Sequence, residues 1–161
     1  MVRPNIEGAL RAQSRLDGVA LLTPFQYLER YSKLLQAEVF TKREDLQQVR
    51  SFKIRGAYNK IVGLSNNERK QGIVCASAGN HAQGFAYSCK KLNIKGIVFM
   101  PVPTPKQKIE QVRMFGGETI EIRLEGDTYD DAYTAALLYQ APLHGNLFCL
   151  CASVFRKYGT P

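Results

Sequence analysis

Short apolar runs alternate with amphipathic stretches through the second half of this chain, and that alternation narrows its possible folds more than any other feature. Ile73-Val74-Cys75-Ala76 is a four-residue apolar run, and Gly96-Ile97-Val98-Phe99-Met100 is another, stopped by Pro101. Ile120, Ile122 and Leu124 alternate with Glu121 and Arg123, a period of two that predicts a strand. Between these runs the period changes. Ala82, Phe85, Ala86 and Cys89 fall at helical spacing, and so do Ile109, Val112 and Phe115 after Pro105, a residue suited to a helix's first turn. Asp127 reads as the cap of a further helix with Tyr129, Ala132, Tyr133 and Ala136 on one face, and Asp130 and Asp131 near its positive end. Upstream, residues 37–43 read as a strand. Ser51 reads as the N-cap of a helix whose inner face is Ile54, Ala57, Tyr58 and Ile61. Repeated strand–helix units with short connections need right-handed crossovers, so the expected class is α/β: a parallel sheet with helices on both faces.

Composition removes several classes of function. The apolar and charged fractions, 45% and 22%, are those of a globular chain. A net charge of +8 raises nucleic acid as a partner, but the basic residues are scattered among acids, as in Lys42-Arg43-Glu44-Asp45. A nucleic-acid module would show a clustered basic stripe, so this reading ranks last. The first eighteen residues carry Arg3, Arg11 and Arg15 with no apolar run behind them. Nothing in the sequence approaches the ~20 apolar residues of a membrane span, and we expect a cytoplasmic protein without a signal peptide. Cys75, Cys89, Cys149 and Cys151 form no C-x-x-C pair, and His81 and His144 have no ligand spacing, so no metal is expected. Cys75 and Cys89 fit as small buried hydrophobes.

Two loops carry chemistry. In Ser51-Phe52-Lys53-Ile54-Arg55-Gly56 a lysine stands at the first turn of a helix, after an aromatic residue. Lysine bonds a carbonyl carbon through its neutral amine. The positive end of a helix and an apolar neighbour such as Phe52 both favour that form. A lone lysine in such a place is also commonly a surface residue. In Ser77-Ala78-Gly79-Asn80-His81-Ala82-Gln83-Gly84 a strand end feeds a helix start. Free backbone amides there, with a hydroxyl and a side-chain amide beside them, suit a carboxylate. The same residues would also serve as a plain capped turn. His81 is a candidate base by its ordinary titration range, with capping or packing as the competing role. Ser77 lacks the G-x-S-x-G setting of a hydrolase nucleophile.

Taken together, the two loops resemble the serine/threonine dehydratases, members of the tryptophan-synthase-β-like class of pyridoxal phosphate enzymes. Thr23-Pro24, Lys42-Arg43-Glu44-Asp45-Leu46, Met100-Pro101 and Gly116-Gly117-Glu118 agree, over residues 20 to 140. Gln48-Val49-Arg50 and Arg55-Gly56-Ala57-Tyr58 are more similar to the biosynthetic threonine dehydratases of isoleucine synthesis than to the catabolic ones. The resemblance implies that Lys53 carries pyridoxal 5'-phosphate, that Phe52 packs on its ring, and that Asn80 bonds its phenolic oxygen. It implies that Ser77, Gly79, Asn80 and His81 hold the substrate carboxylate. The implied reaction turns L-threonine into 2-oxobutanoate and ammonia (L-serine into pyruvate), in a homo-oligomer with no nucleic-acid or membrane partner.

The chain also departs from this pattern. The family continues into a glycine-rich loop for the cofactor phosphate and a later Ser or Cys facing the pyridine nitrogen, and residues 1–161 contain neither. The expected organisation is therefore a truncated version of the fold. Residues 1–50 would belong to a large cofactor-binding domain and residues 51–140 to a small α/β domain. Residues 141–161 form an atypical tail that would fit a frame shift. Such a fragment is expected to be inactive. The competing readings are a catabolic dehydratase, a serine racemase relative, and a non-catalytic remnant.

Overall fold

The computed structural model describes residues 5–140 and the backbone of residues 148–149. Its centre is a four-stranded parallel sheet in the order β5-β4-β3-β6, with β3 at Ile73–Ala76, β4 at Gly96–Met100, β5 at Ile120–Leu124 and β6 at Phe148–Cys149. Helix α5 (Asn80–Leu92) carries the chain from β3 to β4, and α6 (Lys106–Gly116) carries it from β4 to β5. Helix α7 (Tyr129–Gln140) then precedes β6, which pairs with the free edge of β3.

Strand geometry sends alternate side chains to opposite faces, and both faces are covered. Ile73, Cys75, Val98 and Met100 pack with Ala82, Phe85, Ala86 and Cys89 of α5 and with Ile109 and Val112 of α6. On the other face Val74, Ala76 and Phe99 meet Ala132 and Ala136 of α7. Burial on both sides explains why β3 and β4 read as continuous apolar runs. Strand β5, at the edge, is only half-buried: Ile120 and Ile122 are partly covered, while Leu124 is exposed. The α/β expectation holds, with three of the four predicted strands in this sheet and at the predicted residues.

Helix starts show how local chemistry departs from the sequence reading. Asp127 does not cap α7. The Asp131 carboxylate instead accepts from the amides of Asp127 and Thr128, at 3.1 and 2.9 Å, while the Thr128 hydroxyl accepts from the Asp131 amide at 3.2 Å. This reciprocal pairing makes Thr128 the cap, one residue later than expected. Three helices went unread, among them the short one at Glu29–Leu35. Helix α4 (Asn66–Gln71) is polar throughout and begins with a Ser65–Glu68 capping box. Helix α1 (Ile6–Leu16) is capped by Asn5 and buries none of its residues.

The segment before α3 (Lys53–Val62) contains a separate two-stranded antiparallel sheet of β1 (Phe25–Tyr27) and β2 (Phe40–Lys42), with α2 (Glu29–Leu35) between them. Strand β2 is shorter than the 37–43 predicted. Phe25 and Phe40 stack across this pair at 5.1 Å, yet both rings are exposed, and Leu22 is 95% exposed. The tail set apart at 141–161 lies outside the described residues except for β6.

Candidate active site

Helix α3 starts at Lys53 and α5 starts at Asn80, and the two starts lie against each other. A Cβ added to Gly84, one turn into α5, would stand 3.0 Å from the carbonyl carbon of Lys53 and 3.1 Å from the amide nitrogen of Ile54. Backbone therefore touches backbone here. A glycine inside a helix costs roughly 0.5–1 kcal/mol relative to alanine, and close approach is the reason to accept that cost. This brings the two chemically suggestive loops together, which neither loop could show alone. A glycine in a helical run was the available signal.

Ser51 was expected to cap α3 and does not. Phe52 already has helical angles and occupies the cap position, without a side-chain bond to the helix. Arg50 before it takes a left-handed turn at φ 54°, and Ser51 is buried with its Oγ unpaired. The turn points this hydroxyl inward, where a ligand or further chain would satisfy it.

Lys53 is half-buried, and its Nζ lies 5.0 Å from the centroid of the Phe52 ring. Phe52 itself is 58% exposed, so its apolar surface is available to a flat ligand and is not spent on core packing. Two residues on, Arg55 forms a two-pronged ion pair with Glu44, Nε and Nη2 each 2.8 Å from a carboxylate oxygen. Glu44 also accepts from the Thr23 hydroxyl at 2.6 Å, and Arg55 Nη2 donates to the Leu21 carbonyl at 3.0 Å. Bonding from Arg55, more than burial opposes it, holds the Glu44 carboxyl down at about 2. Thr23, Glu44 and Arg55, scattered in sequence, thus form one cluster behind the first turn of α3. The sequence reading assigned them no function.

The second loop leaves the carboxyl end of β3, with the Ser77 amide donating to the Phe99 carbonyl at 3.0 Å. Ser77 and Gly79 are half-buried and Asn80 is exposed. Gly79 is the N-cap of α5, gives it no side-chain cap, and has open space within 4 Å of where a Cβ would be. First-turn amides of α5 are therefore open to an anion. His81 is half-buried, with Nε2 buried and unpaired. Strand order reverses between β3 and β6, and in open α/β sheets ligands bind beyond the carboxyl ends of strands at such a reversal. A cavity of about 600 Å³ lies at the opposite edge, lined by the first residues of β3, β4 and β5 and by Lys95, Glu118 and Tyr139. It includes none of the candidate residues.

A sequence model of the family described as pyridoxal-phosphate dependent enzyme matches residues 18–152. The chain belongs to the pyridoxal-phosphate-dependent enzymes. The match includes residues 141–152 and so runs past Gln140. The biosynthetic L-threonine dehydratase of Staphylococcus epidermidis is 56% identical over 128 residues, 80% of this chain and 30% of that protein. Its counterpart in Bacillus subtilis is 50% identical over 131 residues, 81% of this chain and 31% of that protein. Among solved structures, threonine deaminase isoform 2 from Solanum lycopersicum superposes with a TM-score of 0.79 at 38% identity, covering 89% of this chain and 38% of that one. The chain thus spans about 30% of the length of the curated relatives it matches.

The family's cofactor fits the residues found here. The half-buried amine of Lys53, the exposed Phe52 ring beside it, and the unpaired Ser51 Oγ and His81 Nε2 supply a point of attachment, a stacking surface and unmet polar groups. The phosphate has no glycine-rich loop to hold it in residues 1–161. Gly116-Gly117 sits at the start of β5, where Gly117 turns the chain at φ 55°, at the other end of the sheet from Ser77 and Asn80. Among the described residues no group of His, Cys, Asp and Glu could hold a metal ion, and no helix is long and apolar enough to cross a membrane.

Proposed function

We propose that these residues are part of a threonine ammonia-lyase that converts L-threonine, and L-serine, to 2-oxobutanoate, or pyruvate, and ammonia. The reading places this reaction at the first step of isoleucine biosynthesis. The observation that carries it is the packing of the Lys53 turn on Gly84, one helical turn from Asn80. The names of the relatives give the substrate.

In this reading Lys53 carries the cofactor, Phe52 packs on its ring and Asn80 bonds its phenolic oxygen. Ser77, Gly79, Asn80 and His81 hold the substrate carboxylate at the open start of α5. When bound, pyridoxal phosphate supplies an electron sink for the carbanion at Cα. Lys53 Nζ, displaced by the amino acid, is placed to take the α-proton, and the β-hydroxyl then leaves. The phosphate loop belongs to the complete enzyme, outside residues 1–161.

The same reading assigns residues 1–50 to a large domain and residues 51–140 to a small one. The separate β1–β2 sheet and the exposed Leu22, Phe25 and Phe40 support that division, since such apolar surface suits a further body of protein. The complete enzyme is placed in the cytoplasm as a homo-oligomer.

Borohydride reduction of the complete enzyme with cofactor, followed by peptide mapping, tests the assignment. The pyridoxyl group should be found on Lys53. A label on Lys42 or Lys60 would overturn it.

A further inference from the structure

We propose that Gly84 is a positioning residue for Lys53: its missing side chain sets how closely the cofactor lysine sits to the start of α5. The inference rests on the reading of Lys53 given above. A Cβ on Gly84 would meet the carbonyl carbon and oxygen of Lys53 and the amide nitrogen of Ile54, at 3.0, 3.1 and 3.1 Å. All three are backbone atoms in the first turn of α3. A flexible side-chain tip could swing aside, but a helical turn must move as a body.

That turn is mounted from both sides. On one side α5 is seated in the core around Gly84, with Ala82, Phe85, Ala86 and Cys89 fully buried against the sheet. On the other, Arg55 is held by both oxygens of Glu44 and by the Leu21 carbonyl. Lys53 therefore sits on a turn squeezed between a glycine and a two-pronged ion pair. An added methyl group on Gly84 pushes the turn, and Lys53 with it, away from Ser77, Asn80 and His81. Loss of the Glu44–Arg55 geometry lets the turn drift from the other side.

The sensitivity of catalysis to position gives the scale. Misplacing a reacting group by an ångström can cost on the order of 100-fold in rate. The turn must give by a few tenths of an ångström, so in the complete enzyme Gly84→Ala should lower kcat by about 3- to 10-fold. The absorption band of the Lys53-linked cofactor should shift, and so should the pH at which that band titrates. KM for threonine should change less than kcat, because the carboxylate-holding amides of α5 stay in place. A role in stability alone would lower the melting temperature and leave the band, its titration and kcat per folded molecule as they were. That outcome overturns the proposal.

Arg55→Lys tests the other side of the mount and decides the matter if Gly84→Ala does not fold. It keeps the charge and loses the two-pronged geometry. The same spectral and kcat signature should appear in weaker form, with an unshifted band and unchanged kcat counting against the proposal. Failure of the underlying reading looks different: borohydride would then leave no pyridoxyl group on Lys53 of the unsubstituted enzyme, and the positioning role would fall with it.

Discussion

Glu44 grips Arg55 with both carboxylate oxygens, each contact 2.8 Å long, and so joins the loop after β2 to the first turn of α3. The same carboxylate takes the Thr23 hydroxyl, and Gln47 bonds both the amide and the carbonyl of Leu21. The bonds that hold residues 21–47 together, and those that join them to Arg55 of α3, are thus polar and partly buried, whereas the parallel sheet is held by two apolar layers. Removing one partner of such a pair leaves the other charge without compensation.

This pair makes stability depend on pH in a stated direction. The Glu44 carboxyl is held at about 2 in the fold, below its ordinary 4.5, by the hydrogen bond from Arg55. A lowered carboxylate pKa stabilises the fold above the unfolded value, and that stabilisation is lost as pH falls through the folded one. Glu44→Gln should accordingly destabilise the protein at pH 7. Its deficit against the unsubstituted protein should shrink as pH drops from 4.5 towards 2. Urea midpoints for the two proteins across that range provide the check, and a deficit that stays constant would count against the pair.

Asn80 provides a second test. Its assigned bond goes to an ionised cofactor oxygen, and a hydrogen bond to a charged group is worth roughly 1.5–3 kcal/mol. Asn80→Ala in the complete enzyme should weaken cofactor retention by about 10- to 100-fold and move the absorption maximum. Spectral titration with pyridoxal phosphate measures both. An unchanged spectrum and turnover would leave the Ser77–Gly84 loop with a structural role alone.

A polypeptide of residues 1–161 by itself should produce no 2-oxobutanoate from threonine. Holding the cofactor phosphate requires several backbone donors in a glycine-rich loop. The only Gly-Gly pair in the sequence, Gly116-Gly117, turns the chain into β5 at the far end of the sheet. Steady 2-oxobutanoate release by this polypeptide, purified free of host enzyme, would refute that expectation.

Much of the fold was legible because its signals are local. The runs at 73–76, 96–100 and 120–124 became β3, β4 and β5 without a shift, since a strand buried on both faces has to be apolar throughout and a period of two fits no helix. Ala82, Phe85, Ala86 and Cys89 are all fully buried, as their spacing required. Errors gathered at helix ends. A one-residue change in where helical angles begin turned Ser51 from a cap into a buried, unpaired hydroxyl and passed the cap of α7 from Asp127 to Thr128. Helix α4 was missed because all its residues are polar, which leaves no apolar stripe to read, whereas α1 has Ile6, Ala9, Leu10 and Leu16 at helical spacing and went unread all the same.

From the sequence alone came the α/β class, the two loops and the chemistry each could perform, because residue type and short-range spacing carry that information. Tertiary structure decided how the loops relate. The approach of Lys53 to Gly84 spans 31 positions, counted as 84 minus 53, and the Glu44–Arg55 pair joins a loop to a helix. Neither follows from any local period. Such contacts form only when α3 packs on α5 and the segment before it folds back, so what they do to Lys53 belongs to the packed molecule and to no stretch of its sequence.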